Sequence, residues 1–195
     1  MKKIKELYVF DLDETFLRVP SYTTKKLIEE KHPYIEFKDP YEFYDNHLSL
    51  CDDMNHIQLI EPVFREWEIA NADLSCAHAL ITHRVKSLKD VILSLLKKKG
   101  VSFDHNYFLG RVSEKVLIID HLLKTEYDPT LIQTIKIFED SIDQIYRYQK
   151  WFADSLNNLE IDYSKIDIQY WIVDKARMFR INEIELSDKR RITLI

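Results

Sequence analysis

From residue 59 onward the chain alternates short apolar runs with stretches of helical periodicity, and this constrains the fold more than any other feature. "CAHALITHR" (76–84), "NYFLG" (106–110), "IQTIKIFED" (132–140) and "IDIQYWIVD" (166–174) read as strands. "IEPVFREWEIANAD" (60–73), "SLKDVILSLLKKKG" (87–100), "SEKVLIIDHLLKTEYDP" (113–129) and "SIDQIYRYQKWFADSLNNL" (141–159) read as helices. Ser87 is the expected N-cap of the second helix, Gly100 its C′ residue, and Ser113 opens the third. Most of the strands are too apolar to face water on one side, which points to a parallel sheet covered by helices on both faces. The fold expected is a doubly wound, Rossmann-like α/β domain of three layers.

Residues 17–58 break the alternation. Rich in Tyr, His, Asp and Pro, they read as a small helical cap or flap inserted after the first strand, with helical pieces at Thr24–Lys31 and near Pro40–Leu48. The expected organisation is a core over residues 1–174 that contains this insertion. A β extension, or the start of a further region, follows over 175–195, with a turn at Ser187–Lys189.

Composition removes several classes of function. A net charge of −5 gives no bulk footprint for nucleic acid. Cys51 and Cys76 are too few for a disulfide framework, and neither begins a Cys-x5-Arg phosphatase loop. Only Gly100 and Gly110 occur, so there is no glycine-rich phosphate cradle. The apolar run Leu7–Phe10 is too short for a signal peptide or a membrane span. The expectation is synthesis in a cytoplasm, with later export as an effector left open.

The chemistry lies just past the strands. Asp11 and Asp13 follow the first, Thr82, His83 and Arg84 the next, and Glu139, Asp140 and nearby Asp143 the strand at 132–140. In an extended chain residues i and i+2 face the same way, about 6.6 Å apart, so Asp11 and Asp13 aim into one site while Leu12 points elsewhere. In a parallel sheet these ends share one edge, and Asp11, Asp13 and Asp140 converge. Converging carboxylates repel unless a cation lies between them, and hard oxygen ligands suit Mg²⁺. Mg²⁺ favours a phosphate as its further ligand, and Thr82 and Lys115 are placed to hold phosphate oxygens.

"DLDET" at 11–15 matches the D-x-D-x-T motif of the haloacid dehalogenase superfamily of phosphatases. Thr82 in "ALITHR", Lys115 in "VSEKVL" and the acids of "IKIFEDSID" match its three later motifs in order, over residues 7–174. The T-x-R and "FEDS" forms resemble most the small Swiss Army Knife RNA repair-like branch. The resemblance implies a phosphomonoesterase in which Asp11 attacks phosphorus and Asp13 serves as acid and then base. It implies Mg²⁺ held by the Asp11 carboxylate, the Asp13 carbonyl and Asp140, with Thr82 and Lys115 on the phosphoryl group. Lys124 competes for the lysine role, and Lys115 is favoured because it opens its helix. Asp143 and Glu139 are further metal-site candidates, and Arg84 a candidate for a substrate anion. Glu14 departs from the glycine many relatives carry, and His83 stands where the branch often has glycine. The aromatic residues of the insertion could clamp a ring and favour a phosphoprotein substrate, with phosphotyrosine the candidate residue; a nucleic-acid end and a catalytically idle phosphate-binding module are the alternatives.

Overall fold

A computed structural model describes residues 1–20, 22, 25–51, 57–110, 114–155 and 160–181. The strands are β1 (Glu6–Phe10), β2 (Leu17–Arg18), β3 (Gln58–Leu59), β4 (Cys76–Thr82), β5 (His105–Phe108), β6 (Thr134–Glu139), β7 (Asp167–Asp174) and β8 (Arg177–Ile181). The helices are α1 (Lys25–Lys31), α2 (Pro40–Tyr44), α3 (Glu61–Ala72), α4 (Lys89–Lys98), α5 (Lys115–Thr125) and α6 (Ile142–Asp154).

Six strands form one sheet in the order β5-β4-β1-β6-β7-β8. Neighbours pair in parallel except for β7 and β8, which are antiparallel. The chain leaves β1 for β4 on one side and leaves β6 for β7 on the other. The order therefore reverses between β1 and β6, where open α/β sheets form a crevice at their carboxyl ends.

Alternation along β1 assigns its residues to two cores. Leu7 and Val9 pack with Val116, Ile119 and Leu122 of α5 and with Ile145 and Phe152 of α6. Tyr8 and Phe10 pack on the other face with Val63 and Trp67 of α3 and Ile92 and Leu95 of α4. Phe10, Phe138 and Trp171 stack across β1, β6 and β7 on that second face, the first two rings 4.7 Å apart. The result is the three-layer, Rossmann-like arrangement that the alternation predicts, with five parallel strands lying side by side as β5-β4-β1-β6-β7.

One local detail differs from the sequence reading, the start of α4. Lys86–Leu88 forms a 3₁₀ turn and α4 starts at Lys89 with Leu88 at its N-cap, so Ser87 is not the cap. At the other end Gly100 has φ +78°, and Gly100 N–H and Val101 N–H donate to the Lys97 and Leu96 carbonyls in a Schellman closure. The edge hairpin turns at Lys175 and Ala176, both at positive φ, as a two-residue turn between twisted strands requires. Ser187–Lys189 and Ser113 lie outside the described residues.

Antiparallel pairing of Leu17 with Leu59 and Arg18 with Gln58 closes the neck of the insertion. Its helical pieces are Lys25–Lys31 and Pro40–Tyr44, followed by a 3₁₀ turn at His47–Leu50. Ile28, Phe37, Phe43 and Leu48 give it a small core of its own. Asp39 caps α2 by accepting from Glu42 N–H at 2.8 Å.

Candidate active site

Register places the site. Phe10 lies opposite Phe138, so the next residues, Asp11 and Glu139, both turn to the α5–α6 face. Asp11 N–H donates to the Phe138 carbonyl at 3.1 Å, which holds the two strand ends together. There they meet Lys115, the first residue of α5. Its Nζ donates to Asp11 Oδ1 at 2.7 Å and to Glu139 Oε1 at 2.6 Å, and all three residues are buried. Tyr148 of α6 donates its hydroxyl to the same Glu139 oxygen at 3.2 Å.

Burial alone would lower the Lys115 pKa, but the two carboxylates beside it reverse that and hold it above the ordinary lysine value. Burial pushes the Glu139 carboxyl up to about 8 against the opposing pull of Lys115. Asp140 opens onto the cavity, yet the protein around its carboxyl and the charge of Asp11 push it up to about 7.

Asp11, Glu139 and Asp140 each offer an oxygen within 4.8 Å of the others, the one such group of acids among the described residues. Three oxygen donors of this kind would suit a small, hard divalent cation such as Mg²⁺. The sequence reading takes Asp13 into a metal set through its backbone carbonyl; its carboxylate pairs with Arg84.

Arg84, also buried, donates from Nε to Asp13 Oδ2 at 2.8 Å and from Nη2 to Asp13 Oδ1 at 2.7 Å. Its Nη1 donates to Ser49 Oγ at 2.8 Å and to the Tyr44 carbonyl, both in the insertion. The guanidinium also lies over the Tyr44 ring, 5.0 Å from its centre. Thr82 is buried, and its Oγ1 accepts from Arg84 N–H at 3.1 Å. One residue thus ties a strand end, the first acidic turn and the insertion together.

That first turn explains Glu14. It has φ 55°, the left-handed region where glycine is most at ease, and its Oε1 accepts from Val19 N–H at 3.1 Å. Burial raises its carboxyl pKa. The turn is closed by Phe16 and Leu17 N–H donating to the Leu12 carbonyl. Thr15 is fully buried, with no hydrogen bond to its hydroxyl among the described residues.

A cavity of about 630 Å³ opens over these groups. Asp11, Asp13 and Asp140 line it from the sheet edge, and Tyr41, Tyr44 and Asp45 from the insertion. Lys115 and Thr82 lie beneath its lining. Asp143 sits in the first turn of α6 and lines a neighbouring cavity. Lys124 is at the far end of α5, paired with Asp120 at 3.0 Å and Glu160 at 2.7 Å. Arg147 of α6 also lines the main cavity and was not singled out by sequence. Its signal is its place seven residues after Asp140 on an amphipathic helix whose other face is core.

No protein-family model matches this chain, and no curated protein matches it. Among solved structures, a chain of "Structure of Pnkp1/Rnl/Hen1 complex" is similar with a TM-score of 0.49 and 13% identity. The match covers 87% of this chain and 45% of that one, so this chain spans less than half of its length. No helix among the described residues is long and apolar enough to cross a membrane.

Proposed function

We propose that this protein is a Mg²⁺-dependent phosphomonoester hydrolase of haloacid dehalogenase type, with Asp11 as nucleophile and a phosphoprotein as substrate. The observation that carries the reading is the meeting of Asp11, Glu139 and Asp140 at the carboxyl ends of β1 and β6, with Asp11 and Asp140 lining a cavity. Residues 1–174 form the catalytic core in this reading, and the insertion over 17–58 is its cap.

Asp11 attacks phosphorus while the bond to the leaving oxygen breaks, and Asp13 gives that oxygen a proton. Water then attacks the aspartyl-phosphate at phosphorus and Asp13 takes its proton, which returns Asp11 as a carboxylate and releases inorganic phosphate. Both Asp13 oxygens are held by Arg84, so the acid step requires this ion pair to loosen when substrate enters. Lys115 holds Asp11 in place and offsets charge at the cavity floor, with Glu139, itself held by the Tyr148 hydroxyl, fixing the ammonium. Thr82 holds Arg84 through its backbone. Asp11, Asp140 and Glu139, with the Asp13 carbonyl, would hold Mg²⁺, which when bound neutralises charge on the phosphoryl oxygens.

Tyr41 and Tyr44 in the cavity lining favour an aromatic phosphoester. A polyanionic nucleic-acid end is disfavoured because the same lining sets Asp11, Asp13, Glu14, Asp45, Glu114 and Asp140 against Arg84 and Arg147. The test is Asp11→Asn, which keeps the side chain's shape. It should abolish hydrolysis of an aryl phosphate and of a phosphotyrosine peptide at unchanged melting temperature. Turnover by the variant would refute the nucleophile. An inactive wild type that binds phosphopeptide would point to an idle binding module.

A further inference from the structure

A second cavity of about 500 Å³ adjoins the first, and Glu114 and Arg147 line both. Anything reaching from the proposed catalytic floor into the second cavity passes Arg147. The cations nearest the floor are already engaged, Lys115 with Asp11 and Glu139 and Arg84 with Asp13. Arg147 and Lys150 make no hydrogen bond or ion pair among the described residues. Each has an acid four residues away on α6, Asp143 for Arg147 and Asp154 for Lys150, and neither pair closes. Pairs of this i, i+4 kind are weak, so both cations can turn to a ligand.

We infer that the second cavity is the leaving-group subsite of the phosphatase proposed above, on which the inference rests, and that Arg147 sets its specificity. The subsite takes a peptide segment with a carboxylate side chain near the phosphorylated residue. Arg147 grips that carboxylate in its planar fork, Lys150 adds a second positive charge one turn on, and Trp151 offers a ring edge. The seven residues from Asp140 to Arg147 span about 10 Å along the helix, or about three residues of extended peptide. A peptide fits better than a nucleic acid because the subsite mixes signs. Glu114, Asp143 and Asp154 line it beside the two cations, and a polyanion would meet three carboxylates there.

The experiment compares two phosphotyrosine peptides that differ at one position, three residues from the phosphotyrosine, where one carries Glu and the other Gln; each is made with that position on the N-terminal and on the C-terminal side. Binding is followed by fluorescence anisotropy on Asp11→Asn protein, and kcat/KM on protein with Asp11 intact. With Arg147 present the Glu peptide should be preferred about tenfold. Arg147→Gln should bring it down to the level of the Gln peptide, and Arg147→Lys should restore part of the preference. Absence of turnover with both peptides and with an aryl phosphate would sink the catalytic reading, whereas a binding preference removed by Arg147→Gln would still support this subsite. Equal affinities for the two peptides would overturn it, as would an equal loss on both in Arg147→Gln. A 5′-phosphorylated oligonucleotide preferred over both peptides, with a salt dependence that Arg147→Gln reduces, would overturn it in favour of nucleic acid.

Discussion

Two buried cations stand on either side of the first acidic turn, and they are held in different ways. Lys115 takes its partners from the sheet alone, Asp11 from β1's end and Glu139 from β6. Arg84 takes one partner from the strand-end turn, Asp13, and two from the insertion, Ser49 and Tyr44. The lysine cluster is therefore fixed when the parallel sheet forms. The arginine cluster is complete only when the insertion is docked. In the proposed chemistry this separates a rigid nucleophile from an acid–base residue whose orientation answers to the cap.

Removing Lys115 should break the comparison most severely. Lys115→Met leaves two acids buried without their counter-ion and should lower stability by about 3 to 5 kcal/mol. Denaturant unfolding should find a smaller loss at about pH 5, where the acids take protons more readily, than at about pH 8. Arg84→Lys should cost less, about 1.5 to 3 kcal/mol, because a fork with several donors becomes a single ammonium. Its effect should be local: hydrogen exchange should quicken in Pro40–Leu50 while the amides of β1 and β6 keep their protection. Equal loosening of sheet and insertion would mean that the two clusters are not independent.

The smallest effect is the one that sharpens the metal assignment. Asp140 has a folded-state pKa raised to about 7. In metal-free protein it binds its proton more tightly folded than unfolded. Its contribution is present below about pH 4 and is lost as pH rises through about 7. A cation binds the deprotonated form, so Mg²⁺ should stabilise more at about pH 8 than at about pH 5. At ten times its dissociation constant the gain is about 1.4 kcal/mol, read as a rise in melting temperature. A gain that does not change with pH, or grows as pH falls, would remove Asp140 from the metal set.

The sheet was legible in the sequence because its signals are local. Runs such as 76–84 and 132–140 are apolar enough to demand burial on both faces, and their polar ends announce one edge. Asp11, Lys115 and Asp140 could be found there by position alone. Glu139 is placed by register, which no local pattern shows: the pairing of Phe10 with Phe138 turns it to the same face as Asp11. Ser49 and Tyr44 were invisible as partners of Arg84, since contacts across 35 and 40 residues leave no periodic trace in an insertion without regular patterning. Arg147 reads in sequence as one more charge on a solvated helix face, and only the cavity around it distinguishes it. Glu14 was unassigned until its positive φ and its bond to Val19 showed a side chain fastening the turn.

The central claim is that phosphate is carried on Asp11. Acid quench during turnover of a phosphotyrosine peptide, followed by borohydride reduction, converts an acyl-phosphate to the corresponding alcohol. Mass spectrometry of the peptide spanning residues 6–18 should then find homoserine at position 11, only when substrate and Mg²⁺ are both supplied. Product formed with Asp11 unmodified, or the modification found at Asp13 or Asp140 instead, would contradict the account.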